Sequence, residues 1–234
     1  MEQRLRPNAQ RSRNAITWLW IMVGVEVLML LVNYRHLALL QRIQQGERLT
    51  ERSIDNSDIA MGLASLLYLV AFIFTAITFI KWFRRAFYNL QRRTTGLQHT
   101  EEWAAAAWFI PVLNLFKPYR IMHELYARTI KLLGASSASS AHVGWWWTFW
   151  VLTGILGQVA FRLDMWAEDP EELILSTKFA MAEACIGIPA ALLALSVVQR
   201  YAAMEPMMAA LATPPPGAPR TDVPGSSSEG SVVN

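Results

Sequence analysis

The chain has 234 residues, 53% of them hydrophobic and 17% charged. The apolar residues fall in long blocks, which excludes an ordinary soluble globular fold. A net charge of +3 raises nucleic acid as a partner, but the basic residues border the apolar blocks, where membrane topology and anionic lipid account for them.

A bilayer core of about 30 Å takes roughly 20 helical residues to cross. Four runs meet that length, at about 15–34, 59–80, 143–163 and 174–198. They predict an all-α polytopic membrane protein with four transmembrane helices. Arg4, Arg6, Arg11 and Arg13 precede the first run, and nine Lys and Arg residues from Lys81 to Lys131 lie between the second and third. The loops after runs one and three balance their basic residues with acids or carry an acidic excess, so both termini are expected in the cytoplasm. The first run is too long for a cleavable signal and has no small-residue cleavage site around Asn33, so it reads as a signal anchor. The domains expected are a basic cytoplasmic N-terminus at 1–14, a membrane domain at 15–205, and a Pro-, Gly- and Ser-rich cytoplasmic tail at 206–234 expected to be disordered.

In chain order, span one carries Trp18, Trp20 and Tyr34 near its interfaces and Glu26 at its centre. A charged carboxylate there costs about 2.5–3.5 kcal/mol on insertion scales. Glu26 is therefore either a buried acid bonded to a neighbouring helix or a proton or cation site, and composition does not choose. Residues 37–57 are expected to form a short helix outside the membrane or to extend span one. In span two, Thr75 and Thr78 are placed to bond back to their own helix. That helix is expected to continue into KWFRRAFYNL, with Trp82, Phe83, Ala86, Phe87 and Leu90 on one face as an interfacial surface.

Residues 103–116 break the pattern. Fourteen helical residues cover only about 21 Å, and basic segments flank the stretch on both sides. Pro111 removes a helical hydrogen bond, and Pro118 biases Lys117 away from helix. A re-entrant or interfacial broken hairpin is expected, with Asn114 the candidate to satisfy its freed backbone. From Ile121 to Leu133 an amphipathic helix is expected on the membrane surface. Trp145, Trp146, Trp147 and Trp150 read as interfacial anchors, and Gly154 and Gly157 as places of close helix approach. Span four carries the second mid-membrane acid, Glu183, and a stripe of Gly187, Ala191 and Ala194. Glu26 and Glu183 lie about eight and nine residues from the outer interface. They share a depth if spans one and four are neighbours.

The ordered run KWFRRAFYNL, WAAAAWFIPVLNLFKPYRIMHELY and WWWTFW resembles the bacterial membrane family named domain of unknown function 4328. The matching residues are Trp82, Arg85, Asn89, Leu90, Trp103, Trp108, Phe109, Pro111, Asn114, Leu115, Pro118, Tyr119, Trp145 and Trp146, within about residues 60–200. Thr100-Glu101-Glu102 departs from the Ser-Pro-Gly-type turn that the family often has before the Trp. The resemblance implies a membrane protein and brings no activity with it.

Sequence motifs for nucleophilic, metal-dependent or phosphate-loop chemistry are missing, and His36, His99, His123 and His142 are not paired at ligand spacing within a span. The single cysteine, Cys185, rules out an intrachain disulfide and a cysteine-cluster metal site. No enzyme activity, cofactor or metal is expected. Two function classes remain. One is a structural or accessory subunit of the bacterial inner membrane, acting through protein and lipid contacts. The other is a small ion- or proton-coupled transporter or channel using Glu26 and Glu183. Expected partners are the bilayer, with anionic lipid at the cytoplasmic face, and a second copy or a membrane complex, but no nucleic acid. The residues singled out are Glu26, Glu183, Asn89, Trp108, Pro111, Asn114, Pro118 and Tyr119.

Overall fold

The computed structural model describes residues 5–134 and 140–211. Its helices are α1 (Ala9–Gln44), α2 (Glu51–Gln91), α3 (Glu101–Ala106), α4 (Lys117–Leu132), α5 (Ala141–Trp166) and α6 (Pro170–Ala210), with a 3-10 turn at Leu113–Leu115 between α3 and α4. No strand occurs among the described residues.

Three helices, α1, α2 and α6, are long and apolar enough to cross a membrane. The sequence reading had four. α5 has 26 residues, but its tryptophans count as weakly polar on a hydropathy scale, and Gln158, Arg162 and Asp164 dilute the rest.

The long helices form an open row in which α5 packs on α6, α6 on α1 and α1 on α2. α2, with 41 residues, is about 62 Å long and outreaches any bilayer core. Residues 37–44 extend α1 and are not a separate helix. Glu51 then opens α2, so the two make a protruding hairpin turned at Gly46 with φ 81°. Across that hairpin the Thr75 hydroxyl donates to the Trp18 carbonyl at 3.2 Å. Only Thr78 bonds back within its own helix, at 2.8 Å to the Phe74 carbonyl.

The tightest packing is at the end where the N-terminal residues, the end of α2 and the end of α6 meet. Trp82, Phe83, Phe87, Leu90, Ile121, Met122, Leu125, Val197 and Tyr201 have no exposed surface there. This cap corrects two expectations. The apolar faces of KWFRRAFYNL and of α4 lie in the protein core, because α3 and α4 fold back over the row and give those faces partners. The tryptophans of α5 are divided in the same way. Trp146 and Trp147 are buried and Trp145 is exposed.

α6 continues through Pro206 to Ala210, so residues 206–210 are helical where a disordered tail was expected. Met208 is fully buried, and the Arg93 guanidinium donates to the carbonyls of Ala209 and Leu211 at 3.1 and 3.0 Å, capping the helix. The expected tail beyond Leu211 and part of the linker before α5 fall outside the described residues.

Candidate functional site

Glu26 and Glu183 come together. Glu26, 3% exposed, points from α1 at Gly187 of α6, where a side chain would collide with its carboxyl. Glu183 lies one helical turn before Gly187, on the same face. α2 adds Tyr68, whose hydroxyl donates to Glu183 Oε1 at 3.4 Å. Gly157 of α5 faces the Glu183 side chain, where a Cβ would lie 3.7 Å from Glu183 Cγ in ordinary contact. All four long helices therefore contribute, and Glu26 Oε2 has no hydrogen-bond partner. Two carboxyls and a phenol on neighbouring helices, one carboxyl buried and the other two groups half-buried, can share a proton or hold a cation. Tyr68 was not singled out from sequence. Its signal was a lone phenol in the middle of span two, away from the interfaces where tyrosines settle.

Asn114 does not join them. The Trp147 indole donates to the Leu115 carbonyl at 3.1 Å, and Trp147 is ten residues from Gly157, about 15 Å along α5. Turn bonds within the backbone supply the other partners of the corner at 110–116. Leu113 donates to Pro111 at 2.7 Å, Asn114 to Ile110 at 2.9 Å and Leu115 to Val112 at 3.1 Å. Val112 sits at φ 65°, ψ −52°, the rare γ-turn geometry that is strained for a β-branched residue. Asn114 Oδ1 has no hydrogen-bond partner, so the expected rescue of the backbone falls to Trp147 and to turn bonds. α4 begins at Lys117, against the expectation. Pro118 occupies its first turn, where a missing N–H costs nothing.

The other singled-out residues hold the cap together. Asn89 makes two bonds to the backbone of Arg6, accepting from its N–H at 3.0 Å and donating to its carbonyl at 2.9 Å. Trp108 donates to the Ala104 carbonyl at 3.1 Å, and its ring meets Phe79 and Trp150 edge-on. Tyr119 lies 6.3 Å from the Trp147 ring. Sequence reasoning missed Glu124. Its buried carboxylate accepts from the Gln98 N–H at 2.6 Å and meets His99 Nδ1 at 2.7 Å, fixing the loop before α3. It also missed Glu205, beyond the 174–198 run, whose Oε1 accepts from Asn8 Nδ2 at 2.8 Å. Burial pushes the Glu205 carboxyl above its usual value, and the bond from Asn8 partly opposes this.

Among the described residues no group of three His, Cys, Asp or Glu side chains is placed to hold a metal ion. No curated protein and no solved structure matches the chain. Residues 45–203 match the family described as Domain of unknown function (DUF4328), well over half of the chain, and the protein belongs to that family.

Proposed function

We propose that the protein is a four-span protein of the bacterial inner membrane, with both termini in the cytoplasm, that serves as a structural or accessory subunit through contacts made by its cap. The observation that carries this reading is the ridge on the cap, where Phe109 is 75% and Val112 69% exposed, beside Leu115 and Phe116. Lys117 and Arg120 flank the ridge, stacked over Trp103 and Phe116. An exposed apolar tip framed by cations suits a partner protein met at the bilayer interface, and the closely packed base beneath it suits a fixed platform. α5 enters as the fourth span because its 26 residues reach about 39 Å and it lies along α6.

The test is in-cell photocrosslinking from position 109, with position 63 on the exposed face of α2 as control. An adduct of one discrete protein mass from 109 alone supports the reading. Adducts to lipid alone at both positions refute it.

A second reading, a proton- or cation-conducting protein, is favoured by the convergence of Glu26, Glu183 and Tyr68. Proteoliposome flux that disappears in both Glu26→Gln and Glu183→Gln supports it. Flux no greater than that of empty liposomes rejects it.

A further inference from the structure

Arg6 and Arg11 from the N-terminal segment and Arg84 and Arg85 from α2 line one cavity of about 270 Å³, with Glu101 as the acid on its wall. The acid is a weak counterweight, since Arg84 Nε stands 3.6 Å from Glu101 Oε2. Three guanidiniums also gather on the Tyr88 ring, Arg6 at 4.4 Å, Arg92 at 5.0 Å and Arg85 at 5.8 Å from its centre.

The fold imposes this crowding. The Asn89 amide holds the Arg6 backbone against α2. Arg11 Nη1 donates to the Lys81 carbonyl at 3.1 Å. Arg84 and Arg85 are fixed between the fully buried Phe83 and Ala86. Burial first, and then the charges of Arg11 and Arg6, hold the Arg85 guanidinium below the ordinary arginine value. Like charges held together in this way are relieved when an anion sits among them.

We propose that Arg6, Arg11, Arg84 and Arg85 form a binding site for a phosphate group, carried either by an anionic phospholipid headgroup or by free phosphate. Guanidinium forks converging from two segments suit a tetrahedral anion with several acceptor oxygens. The cavity begins just past the apolar run of α2, at the depth where phospholipid phosphates lie. The inference stands whether or not the accessory reading does, because it requires only that α2 cross the bilayer.

The test uses the full chain in detergent. Native mass spectrometry is run with phosphatidic acid, phosphatidylglycerol and phosphatidylcholine, and thermal unfolding with inorganic phosphate against chloride at equal ionic strength. One-to-one binding of an anionic lipid, or stabilisation by phosphate, is expected to weaken about tenfold or more in the double variant Arg11→Gln, Arg85→Gln. Lys131→Gln, on the exposed face of α4, is expected to change it by less than about twofold. Glu101→Gln is expected to tighten binding, a direction that a folding defect does not mimic. A lipid-only response assigns the phosphate to a headgroup, and a phosphate-only response assigns it to a soluble compound. Equal affinity for phosphatidylcholine together with no phosphate-specific stabilisation overturns the proposal, as does equal weakening by Lys131→Gln or no tightening in Glu101→Gln.

Discussion

The carboxyl of Glu26 occupies the space where a side chain at Gly187 would begin: a Cβ built there lies 2.6 Å from both Cδ and Oε1 of Glu26. Volume, not backbone conformation, favours glycine opposite the carboxyl, and the far end of the Glu26 side chain is the part that can yield. Gly187→Ala should therefore displace the end of the Glu26 side chain without moving α1 or α6, at about 1 kcal/mol, the low end of overpacking. In a Glu26→Ala background that loss should disappear. Thermal unfolding of the four proteins as a double-mutant cycle checks this, and strict additivity would show that the two positions do not meet.

Asn89 ties the N-terminal segment down through two backbone bonds. Asn89→Ala should cost about 1–3 kcal/mol, since both groups of Arg6 lose their partner in a partly buried place. Hydrogen exchange should rise at the Arg6 amide and stay unchanged at α5. Uniform change along the chain would contradict a local clamp.

At the broken corner, Trp147→Phe keeps a ring but removes the donor to the Leu115 carbonyl. A loss of about 1–2 kcal/mol is expected. Asn114→Ala should be nearly neutral or slightly stabilising, because the Asn114 Oδ1 is buried without a partner. Chemical unfolding in detergent ranks the two variants, and the opposite order would return the capping role to Asn114.

Glu205 supplies a pH dependence. Its folded carboxyl is raised by burial, so its contribution to stability is complete below the ordinary carboxyl value and is lost as pH rises through the folded value. Glu205→Gln keeps an oxygen to accept from Asn8. It should match the wild type near pH 4 and be the more stable of the two near pH 8, with the melting temperatures diverging between those limits. Parallel melting curves across that range would exclude a raised carboxyl.

Much of the architecture was legible because it depends on runs of one kind of residue. The apolar blocks gave α1, α2 and α6, and the small residues Gly187, Ala191 and Ala194 marked a stripe that is buried. The equal depth of Glu26 and Glu183 followed from counting along two helices. The third partner, Tyr68, was not found, since nothing local tells a phenol facing lipid from one facing an acid 115 positions away in the chain. α5 was counted as a span on length, and the tryptophans taken as its anchors are what keep it below the hydropathy of the other three.

The sequence by itself determined the apolar middles of the long helices and the presence of two acids in apolar surroundings, because hydropathy and periodicity are properties of a single run; the helix ends at Gln44, Glu51 and Ala210 lie beyond those runs. Only the tertiary structure decided where the amphipathic faces go. α4 and the end of α2 present apolar stripes that suit lipid and protein equally well. The fold-back of α3 and α4 over the row selects protein by burying Ile121, Met122 and Leu125 against the core. The same fold-back leaves Phe109 and Val112 outside, because a corner that satisfies its backbone with its own turns has its side chains pointing away from them.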